Sequence, residues 1–253
     1  MTTIAILLYD RITALDAVGP YDVLARMPGA EVTLVAAQPG PKRTEQGSLA
    51  LTADAPLSAH PRPDVVVVPG GFGSRALLAD VAVLAWLREA HAHSRWTTSV
   101  CTGSLLLAAA GILDGVDAAT HWLAHDELAA LGAVPVPERV VQRGKVITAA
   151  GVSSGIDMAL RLVAAEAGDD AARAIQLAIE YDPEPPFDSG SPHKAPAHLV
   201  QAARAKAAAR RRSAPDHAHQ EDPCRSPSCS TTASRLWTRS APTTSSAASP
   251  APS

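Results

Sequence analysis

Cysteine is scarce in this chain of 253 residues, which contains three cysteines, at positions 101, 224 and 229. So few cannot form the paired framework that stabilises small disulfide-rich secreted proteins, and this class is excluded. Long apolar runs are also missing, since no stretch approaches the roughly 18 apolar residues of a membrane-spanning helix. The opening segment, MTTIAILLYD, lacks the basic start and the apolar length of a signal peptide. We expect a protein of the reducing cytoplasm with no membrane partner.

A strong charge of one sign is absent as well, because the formal net charge is only −3. This balance gives no reason to expect a nucleic-acid partner. The average conceals an asymmetry: from Arg204 onward the chain carries eight Lys or Arg and three Asp or Glu, a charge of +5, which leaves −8 for the rest.

The basic C-terminal segment is rich in Ala, Ser, Thr, Pro and Arg and shows no lasting apolar period. It cannot bury enough surface to offset its ordering entropy, so we predict a disordered low-complexity tail over residues 204–253 and a globular domain over 1–203. The cluster Arg210–Arg212 is typical of a solvated basic tail more than of a nucleic-acid site. Cys224 and Cys229 lack a second pair of metal ligands.

The rest of the chain alternates short apolar runs with helical patterns. The predicted strands are Thr3–Tyr9, Glu31–Ala37, Asp64–Val68, Trp96–Val100, and a hairpin of Arg139–Gln142 with Lys145–Ala149. The predicted helices are Asp16–Arg26, Val81–Ala92, Gly103–Ala110, Leu123–Leu131, Ser153–Ala167 and Asp170–Ile179. This alternation predicts an α/β fold in which helices cover both faces of a mostly parallel sheet. Ligands of such sheets bind beyond the carboxyl ends of the strands, here the turns after Tyr9, Val68 and Val100.

Cys101 follows the last of these strands and lies two residues before a glycine that opens an apolar helix. A sharp strand-to-helix turn would project its side chain from the edge of the sheet, as in a nucleophile elbow. The free N–H groups at the helix start would favour a thiolate. The alternative is an inert core cysteine, since free cysteine is often buried. Its place at the end of a strand favours the catalytic interpretation.

The turn after Val68 reads PGGFGSRA and contains the spacing G-x-G-x-x-A of a dinucleotide site. The acidic residue that such a site needs at the end of the next strand is missing. We expect instead that the N–H groups near Gly71, together with the Thr102 N–H, form an oxyanion hole for Cys101. An ordinary turn between strand and helix is the alternative.

Two further groups of residues are candidates near this edge. Asp16 begins the first helix, where aspartate is often only a helix cap, but its position after the first strand also allows it to face Cys101. In the segment THWLAHDE, His121 and His125 are four residues apart. The glutamate that follows the first histidine in zinc peptidases is replaced by Trp122, so a structural role is favoured over a metal site.

These motifs resemble the ThiJ/PfpI superfamily, relatives of the class I glutamine amidotransferases, over residues 3–200. The segments LDAVGPYDVL, SVCTGSLLLAAAGILDG and, most specifically, IQLAIEYDPEPPFDSGSPHKAP resemble its isonitrile hydratase branch. The resemblance implies a flavodoxin-like sandwich, a homodimer, and no cofactor or metal. It assigns the nucleophile to Cys101, its acidic partner to Asp16, and the residue after the nucleophile to Thr102. Peptidases of the superfamily carry histidine at that last position, so a Cys–His peptidase is disfavoured.

The implied reaction adds water to an isonitrile, R–N≡C, and gives an N-substituted formamide. A Cys101 thiolate would attack the terminal carbon, a protonated Asp16 would supply the proton, and the Thr102 hydroxyl would hold the isonitrile nitrogen or the water. Two alternatives remain. One is a glyoxalase-like or deglycase-like enzyme that acts on small aldehydes with the same pair. The other is a non-enzymatic regulatory domain related to the AraC-type regulators.

Overall fold

Strands and helices alternate through residues 1–212, the part of the chain that the computed structural model describes. The strands are β1 (Thr2–Leu7), β2 (Ala30–Ala36), β3 (Gly40–Arg43), β4 (Ala50–Ala53), β5 (Ala55–Pro56), β6 (Val65–Val68), β7 (Trp96–Val100), β8 (Asp117–Ala118), β9 (Val134–Pro135), β10 (Val140–Arg143) and β11 (Val146–Ala149). The helices are α1 (Ala14–Leu24), α2 (Val81–His93), α3 (Gly103–Ala109), α4 (His125–Ala130), α5 (Ser154–Ala167), α6 (Asp169–Ala178) and α7 (Ala197–Arg212). Short 3₁₀ turns cover Leu57–Ala59, Phe72–Leu77 and Trp122–Ala124.

Seven strands form the central sheet in the order β10-β11-β7-β6-β1-β2-β5. All neighbours are parallel except β10 and β11, which form the antiparallel hairpin predicted around Arg143 and Gly144. The chain moves from β1 toward one edge through β2 and toward the other edge through β6 and β7. The direction therefore reverses between β1 and β6, which is where ligands bind in sheets of this type.

Helices cover both faces because crossovers between parallel strands are right-handed. The connection from β1 to β2 runs in the opposite direction to that from β6 to β7, so α1 and α2 lie on opposite faces. α5 packs against α1, and α3 packs against α2. All four valines of β6 are inaccessible to solvent, as expected for a strand covered on both faces. The predicted α/β sandwich is confirmed.

The predicted strands and helices are confirmed to within a few residues, with some differences. The segment predicted as one helix over Leu123–Leu131 is a 3₁₀ turn followed by the six-residue α4. Because His121 precedes that turn, its spacing from His125 is not helical. The short hairpin of β3 and β4 was not predicted, because its sequence, GPKRTEQGSLALTA, has little apolar alternation.

The disorder predicted from residue 204 is wrong for residues 204–212, which form the C-terminal half of α7. This helix has no fully buried residue, so it lacks the apolar period by which helices are recognised. Its alanines favour helix intrinsically, and ion pairs attach it to the sheet domain: Arg210 with Glu45 and Arg211 with Glu127. Residues 213–253, including Cys224 and Cys229, lie outside the described residues, so the predicted domain division stays a prediction there. Within residues 1–212, no helix is long and apolar enough to cross a membrane.

Gly103 allows the turn after β7 to pack against the end of β6. A Cβ atom at this position would lie 1.9 Å from the carbonyl oxygen of Val68 and 2.8 Å from its carbonyl carbon. Both atoms belong to the backbone of the central strand, so neither can move aside cheaply. The first residue of α3 must therefore be glycine for the strand ends to approach.

We expect Gly103→Ala to lower the free energy of unfolding by at least about 2 kcal/mol, because overpacking against backbone has no low-energy relief. Thermal or urea denaturation measures this loss. Gly190→Ala is the matched control, since a Cβ at Gly190 meets nothing within 4 Å. Equal stability of the two variants would contradict the close approach.

Candidate active site

Cys101 occupies a strained turn at the carboxyl end of β7. Its φ angle is 57°, in the left-handed region that residues other than glycine rarely adopt. Its N–H donates to the carbonyl oxygens of Ala149 (3.0 Å) and Ala150 (2.9 Å). Its carbonyl oxygen accepts hydrogen bonds from the hydroxyls of Ser104 and Thr120, both at 3.1 Å. These contacts fix the backbone on both sides, as the predicted nucleophile elbow requires.

Asp16 and Cys101 approach each other beside Gly70, and the space between them is open because glycine has no side chain. A Cβ on Gly70 would lie 2.8 Å from Asp16 Oδ2, 2.8 Å from Cys101 Cβ and 2.5 Å from the Thr102 nitrogen. Groups that follow β1 and β7 therefore converge within 3 Å of one point at the end of β6, the strand between them. The sequence-based expectation that Asp16 faces Cys101 agrees with this geometry.

The Asp16 carboxyl is fully buried. Its Oδ2 accepts a hydrogen bond from the Gly70 N–H at 3.0 Å. Within residues 1–212, its Oδ1 has no hydrogen-bond partner that meets both the distance and the angle criteria. Burial raises the pKa of Asp16 to about 7, although contact with the Cys101 thiol and the Gly70 N–H oppose the rise. Asp16 is therefore a carboxyl group that exchanges its proton near neutral pH.

The Cys101 thiol is also buried, and its pKa is shifted in the same direction. Burial raises the pKa of this thiol well above its usual value, the charge of Asp16 adds to the rise, and the Thr102 N–H opposes it. The expected preference for a thiolate is therefore wrong for the protein without substrate. The α3 helix behind the thiol has only seven residues, and its dipole does not outweigh burial. Because burial opposes charge on both groups, Asp16 and Cys101 together hold one proton above about pH 7.

The Thr102 side chain contacts the glycine turn and not the thiol. Its Oγ1 accepts the Gly71 N–H at 2.9 Å and donates to the Gly71 carbonyl oxygen at 3.0 Å. Ser74 Oγ lies 3.2 Å from the same hydroxyl. The expectation that the Gly71 N–H is a free oxyanion donor is thus corrected, because Thr102 already occupies it. The main-chain N–H of Thr102 is the donor that acts on the Cys101 sulfur.

A cavity of about 390 Å³ opens above the elbow, near the lower limit for small-molecule sites. Its buried end contains Cys101, Thr102 and Gly71, and apolar side chains such as Leu123 and Val152 form its walls. Its outer end is closed by residues of α7 that belong to the segment predicted to be disordered. No pattern in the sequence predicted this wall.

Glu45 is a residue of the site that the sequence analysis did not identify. It follows β3, and its Oε1 accepts hydrogen bonds from the Phe72 N–H (2.7 Å) and from Thr13 Oγ1 (3.0 Å). Its Oε2 lies 2.9 Å from Nη1 of Arg210 in α7. Glu45 therefore connects the start of α1, the glycine turn and the helix that closes the cavity. Since the β3–β4 hairpin was not predicted, no spacing in the sequence could place Glu45 there.

His121 lines the cavity as a neutral ring. Its Nδ1 accepts the Leu123 N–H at 3.2 Å, which leaves the ring proton on Nε2. Burial lowers the pKa of His121, and the nearby charge of Arg75 adds to this effect. The ring packs on Gly151, whose Cβ would lie 2.6 Å from His121 Cδ2. His125 does not share its site, and within residues 1–212 no cluster of three potential ligands could hold a metal ion.

With this geometry established, similar proteins identify the family. A model of the DJ-1/PfpI family matches residues 2–165. The chain belongs to the DJ-1/PfpI family. The sequence-based resemblance to this superfamily is therefore confirmed, and the matched segment includes Asp16, Gly70 and Cys101 of the converging site.

Individual relatives extend the match toward the C-terminus. Isonitrile hydratase of Pseudomonas putida is 46% identical over 205 residues, which cover 81% of this chain and 90% of that protein. A crystal structure of a ThiJ/PfpI family protein from Pseudomonas syringae is 39% identical, with a TM-score of 0.79, and the match covers 82% of this chain and 86% of that one. The HTH-type transcriptional regulator GbdR of Pseudomonas aeruginosa is 32% identical over 137 residues, 53% of this chain and 37% of the regulator.

The buried carboxyl of Asp16 makes the stability of the protein depend on pH. The pKa of Asp16 is about 7 in the folded protein and 3.8 when the carboxyl group is exposed to water, as in the unfolded chain. Between pH 3.8 and about pH 7 the folded protein therefore binds a proton that the unfolded chain does not. Its contribution is fully present below pH 3.8 and is lost as pH rises through about 7, by on the order of a few kcal/mol. We expect Asp16→Asn, which carries no such charge, to become progressively more stable than the unmodified protein over this interval.

Thermal denaturation of both proteins from pH 4 to 9 tests this expectation. The difference in melting temperature should change between pH 4 and 7 and then become constant. Asp22→Asn, an exposed position on the same helix, is the matched control. A difference between Asp16→Asn and the unmodified protein that is independent of pH would contradict the raised pKa.

Proposed function

We propose that the protein is an isonitrile hydratase-like enzyme, which adds water to R–N≡C and releases an N-substituted formamide. The observation that carries the proposal is Cys101 at the floor of a small cavity, with the buried carboxyl of Asp16 beside it. The identity of 46% with isonitrile hydratase, over nine-tenths of that protein, supports the same chemistry. The match to GbdR covers only 37% of the regulator and so supports a regulatory role less.

Addition to an isonitrile needs a nucleophile and a proton at the same carbon, because the terminal carbon carries both the lone pair and the electrophilic orbital. In the proposed first step, the Asp16 carboxylate takes the thiol proton while Cys101 Sγ bonds to this carbon. Asp16 then gives the proton to the carbon. The product is a thioimidate, Cys–S–CH=N–R, and Asp16 is again a carboxylate.

Hydrolysis returns the enzyme to its starting state. Asp16 takes a proton from water as the oxygen attacks the thioimidate carbon, and the proton passes to nitrogen to give Cys–S–CH(OH)–NH–R. The C–S bond then breaks, the hydroxyl proton passes to sulfur, and R–NH–CHO leaves. One water is consumed and no oxidant, reductant or metal is needed. A single carboxyl group thus acts as base and acid in turn, which suits a pKa of about 7.

Thr102 has two roles in this mechanism. Its N–H donates to the sulfur and so stabilises the negative charge that develops as the thiol proton leaves. Its hydroxyl is occupied by both polar groups of Gly71 and so positions the glycine turn instead of binding the isonitrile nitrogen. Gly71 belongs to the site as the partner of this hydroxyl. The neutral His121 ring, with a proton on Nε2, is a further cavity residue.

We also propose that the enzyme is a cytoplasmic homodimer, as the resemblance implies. α1 exposes Leu15, Val18 and Tyr21, each about two-fifths accessible, on the surface opposite to buried Asp16. The distinctive segment Tyr181–Phe187 does not line the cavity of its own chain, and Phe187 is 78% exposed. Both surfaces are suited to burial against a second copy. The mass in solution, set against 26.1 kDa for one chain, distinguishes a dimer from a monomer.

Replacement of the proposed nucleophile gives the first test. We expect Cys101→Ala to produce no formamide above background from a simple isonitrile, as measured by chromatography, because Cys101 is the one thiol within residues 1–212. Cys101→Ser should be almost as inactive, since a serine hydroxyl stays protonated. Cys224→Ala removes a cysteine outside the described residues and is the matched control. Normal turnover by Cys101→Ala would refute covalent catalysis, and turnover of methylglyoxal alone by the unmodified protein would favour the aldehyde alternative.

The proton carrier gives the second test. The active form of the pair holds one proton, so kcat/KM of the unmodified enzyme should rise with pH through about 7 and then level off. We expect Asp16→Asn to lose about 10²-fold to 10⁴-fold in kcat/KM and to lose this dependence on pH. Asp22→Asn should retain both. An Asp16→Asn variant that keeps the rise near pH 7 would show that another group carries the proton.

A further inference from the structure

The outer end of the cavity is markedly cationic. Four of its lining residues carry positive charge: Arg75 beside the glycine turn, and Lys206, Arg210 and Arg211 on α7. Two carboxylates oppose them. Glu127 accepts a bidentate pair from Arg75, at 2.8 and 2.9 Å, and also binds Arg211 at 2.8 Å.

The second carboxylate, Glu45, binds Arg210 at 2.9 Å. Within residues 1–212, the two carboxylates thus pair with Arg75, Arg210 and Arg211. Lys206 is exposed and has no ion pair within residues 1–212. The ammonium group of Lys206 is therefore available to an anion at the mouth of the cavity.

The same cavity also has an uncharged part. Cys101 and Thr102 are at least nine-tenths buried, and Leu123, Val152 and the neutral His121 ring line the cavity with them. An isonitrile group is a linear rod, so when its terminal carbon contacts Sγ the substituent on nitrogen must extend away from sulfur. Because Cys101 and the cationic residues of α7 line the same cavity of about 390 Å³, a substituent of sufficient length runs toward the cationic rim.

From these observations we infer that the preferred substrates are isonitriles with an anionic group, such as a carboxylate, at the end remote from the isonitrile carbon, and that Lys206 binds this group. The inference rests on the proposed function and narrows it to a substrate class. A neutral alkyl isonitrile would fill the apolar part of the cavity but leave the Lys206 ammonium without an ionic partner within residues 1–212. Recognition of the charged group by Lys206 would also give α7 a role in substrate binding.

The test compares ω-isocyanoalkanoates of two to five carbons with the carboxamides of equal length, which have nearly the same shape but no charge. The readout is the ratio of kcat/KM for the carboxylate to that for the amide, measured at pH 8 and low ionic strength. We expect a ratio of roughly five or more at the best chain length, typical of an exposed ion pair, and a decrease as salt is added.

Variants of Lys206 locate the effect. The ratio should decrease in Lys206→Met, which removes the charge, and decrease further, to about one or below, in Lys206→Glu. Lys42→Glu makes the same change of charge on β3, away from the cavity, and should keep the ratio of the unmodified enzyme.

Each outcome bears on one hypothesis. If both substrates are hydrated with a ratio near one, or if Lys206→Glu and Lys42→Glu have equal ratios, the substrate preference is wrong while the isonitrile hydratase proposal stands. If neither substrate gives a formamide with any variant, the proposed function itself fails, and the preference fails with it.

Discussion

The site depends on the burial of a carboxyl group against a thiol at a point that only a residue without a side chain can leave open. Asp16, Cys101 and the Thr102 nitrogen all lie within 3 Å of the position where Gly70 would carry a Cβ. The groups come from the carboxyl ends of β1 and β7, with β6 between them supplying the glycine. Parallel pairing at these strands therefore brings the acid and the nucleophile together, and the close approach at Gly103 keeps them there.

Burial also decides the chemistry of the pair. Desolvation opposes charge on both groups and raises both pKa values, so that the pair holds one proton at and above neutral pH. A carboxyl group with a pKa of about 7 can accept and return this proton within one catalytic cycle. The raised pKa of Asp16 lowers the free energy of unfolding at neutral pH, and interactions elsewhere in the fold must offset this loss. Such a cost is common where activity requires a buried charge.

The sequence predicts structural features that arise from a repeating pattern of residues or from a few neighbouring residues. The apolar runs gave β1, β6 and β7 because strands buried on both faces carry few polar residues, and the turn chemistry around Cys101 indicated the elbow. Interactions between distant segments could not be predicted in this way. Glu45 and Arg210 meet across 165 positions through a hairpin and a helix that have no apolar period. The occupation of the Gly71 N–H by Thr102 was equally hidden, because the motif specifies which groups are near and not which are already bonded.

The central claim is that Cys101 becomes covalently bonded to the isonitrile carbon. Intact-protein mass spectrometry of rapidly quenched single turnovers tests it most directly, with peptide mapping to locate the modified residue. The account predicts an adduct that adds the full mass of one isonitrile to Cys101, and that decays at the rate at which formamide appears. Formamide release at the full rate with no adduct at any time or pH, or with the added mass on another residue, would contradict it.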